Sequence, residues 1–140
     1  MYSASVVYMG SHKSNVLEVD NHAGDPATFL AGLCVHQKSD GTLSLAAADG
    51  SKLGISMGRS LSNHKRVPIA RKGLGVPILL ANGFTPTLGA QVQISTTTGK
   101  AVSSGTAVNA VYASGALTAY DEDGVAIADG CALIDFQGGL

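Results

Sequence analysis

The groups in this sequence most able to do chemistry are one serine in a motif, four histidines, a short acidic run and a short basic one. Gly54-Ile55-Ser56-Met57-Gly58 matches the G-x-S-x-G of the hydrolase nucleophile elbow. That elbow works because a strand turns sharply into a helix, which leaves the serine exposed above a parallel sheet. Here Leu53-Gly54-Ile55-Ser56-Met57 alternates apolar with small residues as one continuous strand, and Arg59-Ser60-Leu61-Ser62-Asn63 is not the helix that should follow. The order of partners fails too, since His64 is the last histidine and precedes every later acid. Ser56 is expected to be a strand residue; a serine hydrolase built on it is the enzymatic alternative.

His12, His22, His36 and His64 are scattered without metal-ligand spacing, and the chain has no C-x-x-C. Asp121-Glu122-Asp123-Gly124 begins like a calcium loop, but such a loop needs further acids and a closing Glu between helices. An acidic, solvated hairpin is the expectation. Gly73-Leu74-Gly75-Val76-Pro77-Ile78 starts like a dinucleotide fingerprint, yet its last Gly is missing and Pro77 would interrupt the required helix. Cys34 and Cys131 each lie in an apolar stretch and read as buried free thiols, which suits a reducing cytoplasm. No catalytic residue, cofactor or metal is expected.

The basic run differs in kind. Lys65, Arg66, Arg71 and Lys72 flank Val67-Pro68-Ile69-Ala70 and hold four of the nine positive charges. On a strand, Arg66 and Lys72 share one face and Lys65 and Arg71 the other. A solvated edge strand is one expectation, and Pro68 suits an edge. The functional one is docking to an acidic protein surface. Nucleic acid is disfavoured, because aromatics are only 5% of the chain and no stacking platform lies near this run.

The elements that must position these groups are short strands. Candidates run Phe29 to Gln37, Thr42 to Ala46, Leu53 to Met57, Val67 to Lys72, Val76 to Ala81, Ala90 to Ser95, Ala107 to Ala113, Leu117 to Tyr120, Val125 to Ala128 and Ala132 to Phe136. Between them stand Asp40-Gly41, Asp49-Gly50, Asn82-Gly83, Asp123-Gly124 and Asp129-Gly130, dipeptides that tolerate the positive φ of tight turns, and Thr98-Gly99-Lys100. Helix signals are confined to a turn at Asp25-Pro26-Ala27-Thr28. Strands at such spacing predict an all-β fold, a small β-barrel or β-sandwich.

Residues 1–24 read differently, as an extended N-terminal arm ahead of a single domain over 25–140. Val6, Val7 and Tyr8 are its apolar residues best able to pair with a neighbouring subunit's sheet edge. The N-terminus lacks a basic segment and a long apolar run, so no classical export signal and no membrane span are expected. At 140 residues and 14% charge the chain has one domain's worth of core and a sparsely charged surface. Such surface is often covered by a partner, so homo-oligomerisation or docking on a larger object is expected.

The order of these segments resembles a known family. Phe29-Leu30-Ala31-Gly32-Leu33 leads to Lys52-Leu53-Gly54-Ile55-Ser56-Met57-Gly58-Arg59-Ser60. Val67-Pro68-Ile69-Ala70-Arg71-Lys72-Gly73 and Leu74-Gly75-Val76-Pro77-Ile78 follow, then Thr87-Leu88-Gly89-Ala90-Gln91-Val92-Gln93-Ile94 and Thr98-Gly99-Lys100-Ala101. Over residues 29 to 103 this rhythm resembles the small capsid decoration, or cement, proteins of tailed bacteriophages. Ala90 stands where the family often carries an acid after glycine. The resemblance implies a β-barrel-like protein on the outer surface of the virion, made in the host cytoplasm. It would bind between major capsid protein subunits, often as a trimer. From the residues themselves, the surfaces expected to touch shell or subunit are Val6, Val7, Tyr8, Lys65, Arg66, Arg71 and Lys72. Alternatives are a biotinyl- or lipoyl-type carrier with Lys100 as its hairpin lysine, and a tail-fibre or adhesin fragment.

Overall fold

The computed structural model describes residues 6–9, 16–21, 30–39, 42–45, 53–57, 66–121 and 123–137. Among these residues the chain is all-β, with no helix. The strands are β1 (Val6–Tyr8), β2 (Val16–Asn21), β3 (Cys34–Gln37), β4 (Thr42–Leu45), β5 (Leu53–Ser56), β6 (Arg66–Ala70), β7 (Gly73–Leu79), β8 (Gln91–Ile94), β9 (Ala101–Val102), β10 (Thr106–Tyr112), β11 (Leu117–Tyr120) and β12 (Ala126–Phe136).

They form two sheets. In the first, the hydrogen-bonded order β2-β4-β3-β5-β6 returns to its start, because β6 also pairs with β2. The second runs β1-β11-β12-β10-β8-β9, and β7 takes the other edge of β12. Most ladders are antiparallel; β1 with β11 and β2 with β4 are parallel.

Side-chain alternation places the core. In β8, Val92 and Ile94 are buried and Gln91 is exposed, as a strand with one wet face requires. In β5 all residues are buried, because both of its faces are covered. One face carries Ile55, aligned with Cys34 of β3 and Ala70 of β6, and this row packs in one cluster with Val76, Ile78, Ile134 and Phe136 of the second sheet. The opposite faces of β3, β4 and β6 contribute Val35, Leu43, Val67 and Ile69 to a second cluster, joined there by Met9, Leu79, Ala119 and Cys131. Each sheet thus completes a core begun by the other.

Several expectations need correction. Within 1–24, the described residues 6–9 and 16–21 belong to the sheets rather than to a separate arm: Val6, Val7 and Tyr8 pair with Thr118, Ala119 and Tyr120, and β2 closes the circuit of the first sheet. The few turn signals there concealed two strands whose partners lie far along the chain. β6 is not an edge, since it pairs with β2 and β5. Pro68 is tolerated because it lacks only a donor, and its carbonyl still accepts the Met57 N–H at 2.8 Å. Finally, Asp129-Gly130 is no turn. The two strands expected around it are one, β12, which crosses from β11 to β10.

Gly130 explains why. Its φ of +70° and a register shift against β11 mark a bulge, and a Cβ there would lie 2.3 Å from the Leu117 carbonyl oxygen. The same chemistry that permits a hairpin turn permits a bulge inside a long strand. By contrast, Gly83, Gly99 and Gly124 do sit in turns at positive φ. At the last of these, Asp121 Oδ1 accepts the N–H groups of Asp123 and Val125, both at 2.9 Å. The Asp40-Gly41, Asp49-Gly50 and Asp25-Pro26 signals lie outside the described residues.

Candidate functional site

Ser56 ends β5 and is 1% exposed. Its hydroxyl donates to the Leu30 carbonyl at 2.7 Å and accepts the Leu33 N–H at 3.0 Å. Its backbone takes part as well: the Ser56 N–H donates to the Leu33 carbonyl at 2.8 Å, and the Gly32 N–H to the Ser56 carbonyl at 2.7 Å. The serine therefore clamps residues 30–33, which turn where a strand from Phe29 was expected. Gly32 at φ +89° makes that turn, and its carbonyl accepts the Leu79 N–H at 2.8 Å. Gly54, Ile55 and Ser56 of the G-x-S-x-G lie in β5, and the serine is committed to backbone. His64 lies outside the described residues.

The basic run divides. Lys65 lies outside the described residues, and Arg66 is placed only as the first residue of β6. The strand stops at Ala70, so the expected face rule does not extend to Lys72, which is exposed in the bend before β7. Arg71 is half-buried, and its Nη2 donates to Oε1 of Gln37. The register explains how it gets there. Ser56 faces Ile69 and Ile55 faces Ala70, so one step further sets Arg71 beside Gly54, and Gly54 faces Val35. The space over Gly54 is taken by Ile69, whose Cδ1 lies 3.1 Å from where a Cβ would stand, and Gln37 lies on the same side of β3 as Val35, two residues on. Arg71 Nε is shielded from solvent and has no hydrogen-bond partner among the described residues.

The remaining expected residues are dispersed. Val6, Val7 and Tyr8 form the end strand of the second sheet, with Val7 packed against the second cluster. Cys34 and Cys131 are both buried free thiols, and burial pushes each up to about 12. Lys100 is half-buried in the β8–β9 turn, where its N–H donates to Thr98 Oγ1 at 3.3 Å. Among the described residues no group of three or more His, Cys, Asp or Glu gathers to hold a metal.

Sequence reasoning missed Gln37, because its residue type signals no site and only the strand register joins it to Arg71. It also missed an outer face on the second sheet. Val111, 42% exposed, stands opposite Asp135, and Leu74, 73% exposed, lies beside the bulge where the Gly75 N–H donates to Asp135 Oδ1 at 3.0 Å. No protein-family model, curated protein or solved structure matches this chain.

Proposed function

We propose that this chain is a capsid decoration protein. It docks on the outer surface of a phage head, between major capsid protein subunits, and strengthens a shell already assembled. The observation that carries this reading is the resemblance over residues 29 to 103, a span that supplies β3 to β9 and so most of the first sheet. The use of Ser56 as a backbone clamp supports it, since the most catalytic-looking side chain is occupied in holding the fold. Exposed Lys72 and Leu74 stand close together in the chain and offer a mixed basic and apolar contact. A cement protein needs interface area rather than chemistry, and symmetry multiplies each modest contact. A homo-oligomer, with a trimer favoured, follows from the same resemblance.

Co-sedimentation with capsids assembled from the major capsid protein of the same phage tests the proposal. Saturable binding to intact shells is expected, weakened severalfold when Lys72 and Leu74 are both replaced by Glu. A chain that stays in the supernatant at every concentration overturns it. Intact mass separates the carrier alternative: the chain is expected to remain unmodified at Lys100 when co-expressed with biotin and lipoate ligases.

A further inference from the structure

We infer that the first half of β12 is a homotypic edge: the backbone of Ala126 and Ala128 pairs with the same stretch of a second copy of this chain, about a two-fold axis through Ile127. The inference goes beyond the docking reading above and does not depend on it. It makes twos where the resemblance favours threes.

β12 has neighbours on both sides only over its second half. Cys131 pairs with Leu79 of β7 and with Leu117 of β11, so these two strands flank it on opposite sides. The β7 side ends at Gly130, whose carbonyl accepts the Leu80 N–H at 3.2 Å; Ala81 then turns away to donate to the Ala101 carbonyl at 2.9 Å. Among the described residues no strand continues on that side beside Ala126 to Asp129. The backbone there has a fixed direction. Val125 gives its carbonyl to the Asp121 N–H at 2.8 Å, on the β11 side. Alternation along an antiparallel ladder therefore turns the N–H and C=O of Ala126 and of Ala128 to the open side. Both alanines are exposed. Val125-Ala126-Ile127-Ala128 also carries no charge and no proline, the usual guards of a bare edge.

The open stretch complements itself. It is bounded by Val125, tied to Asp121, and by Asp129, next to the Gly130 that β7 holds, so its midpoint is Ile127. A two-fold axis there sets Ala126 of one copy opposite Ala128 of the other. Both have outward backbone, and each such pair exchanges two hydrogen bonds. A slip of one residue would set outward backbone against inward backbone and lose them. Ile127 meets its own copy in the closer, non-hydrogen-bonded pairing, on the face where it already packs with the second cluster. Asp129 faces Val125 of the second copy, which leaves the two Asp129 residues at opposite ends, about 14 Å apart at ~3.4 Å per residue.

Sedimentation equilibrium of the full chain in about 0.5 M sodium chloride, which screens the acidic turns at the two ends, tests the pairing. The mass is expected to rise with concentration to twice that of the chain. Ala128→Pro removes an outward N–H that the β11 ladder does not use, so the variant is expected to fold and to associate about tenfold more weakly or worse. Crosslinking fixes the register. Ile127→Cys is expected to give a disulfide-linked dimer under mild oxidation, because facing residues of that pairing stand about 4.5 Å apart at Cα, within disulfide reach. Val125 is the more exposed of the two, yet Val125→Cys is expected to stay uncrosslinked, since the axis holds it about 14 Å from its copy. The mass of one chain at every concentration overturns the proposal. So does a larger mass that Ala128→Pro leaves unchanged, or equal crosslinking by the two cysteine variants. Capsid co-sedimentation keeps the two readings apart: a chain that pairs but ignores capsids removes the shell alone, and one that binds capsids without ever pairing removes the edge alone.

Discussion

Ser56 and Leu33 hold each other twice: the Ser56 N–H donates to the Leu33 carbonyl at 2.8 Å, and the Leu33 N–H donates to Ser56 Oγ at 3.0 Å. The pair is 23 residues apart in sequence, and it ties the end of β5 to the start of β3 through backbone and side chain at once. That double tie turns an apparent catalytic motif into a structural one, because the hydroxyl has its donor and acceptor capacity in use.

Ser56→Ala should therefore act on stability. It strands the buried Leu33 N–H and removes the partner of the part-buried Leu30 carbonyl, for a loss of about 1–3 kcal/mol. Urea unfolding should show an earlier midpoint with an unchanged slope. A fluorophosphonate probe should leave the folded chain unlabelled at Ser56; stoichiometric labelling would restore the hydrolase alternative.

Two glycines make a controlled comparison. Gly83→Ala and Gly130→Ala both place a side chain at positive φ, but a Cβ at Gly83 meets nothing within 4 Å, whereas one at Gly130 lies 2.3 Å from the Leu117 carbonyl oxygen. The first should cost about 1 kcal/mol, the strain of the conformation alone. The second must also displace backbone at the β11–β12 bulge and should cost roughly 3 kcal/mol or prevent folding. Equal thermal shifts for the two variants would refute the bulge.

Met9 makes residues 6–9 part of the fold rather than an appendage. It is 3% exposed within the second cluster, and its Cε lies 2.4 Å from where a Cβ on Gly32 would stand. Met9→Ala should cost about 2–4 kcal/mol. Deleting residues 1–9 should lower the thermal midpoint of the isolated chain, by at least as much as Met9→Ala. A truncated chain as stable as the full one would return these residues to the role of a free arm.

How much of this was legible in the sequence depends on how far apart the partners lie. β8, with Val92 and Ile94 inward, and the turns at Asn82-Gly83 and Asp123-Gly124 follow from neighbours a few residues apart, and period and turn chemistry suffice for those. The pairing of β1 with β11 spans most of the chain, and no local pattern announces it. At Asp129-Gly130 the local signal was sound, since Gly130 does take positive φ, but tertiary pairing used it for a bulge. The candidate site shows the same division. Arg71 and Lys72 were visible as charge, whereas the Gln37 partner of Arg71 is set only through the registers of β3, β5 and β6.

Alkaline pH should loosen this core through its thiols. Burial raises Cys34 from an ordinary value of 9.0 to about 12, and Cys131 likewise. Tyr112 moves the same way, from 10.0 to about 12, also by burial. In the unfolded chain each thiol gives up its proton near its ordinary value, while in the folded chain it keeps the proton until near 12. Between those limits the folded state binds more protons, so stability falls as pH rises. The full contribution is present below about pH 9 and is lost progressively toward 12. Each thiol can remove at most about 1.4 kcal/mol per pH unit in that window. Urea midpoints measured at intervals from about pH 8 to about pH 11 should decline, and Cys34→Ala should make the decline shallower while lowering stability at neutral pH through the lost packing. Iodoacetamide should alkylate neither cysteine in the folded chain at about pH 8 and both after unfolding. A midpoint that stays level up to about pH 11, or rapid alkylation of the folded chain, would show that these thiols meet solvent after all.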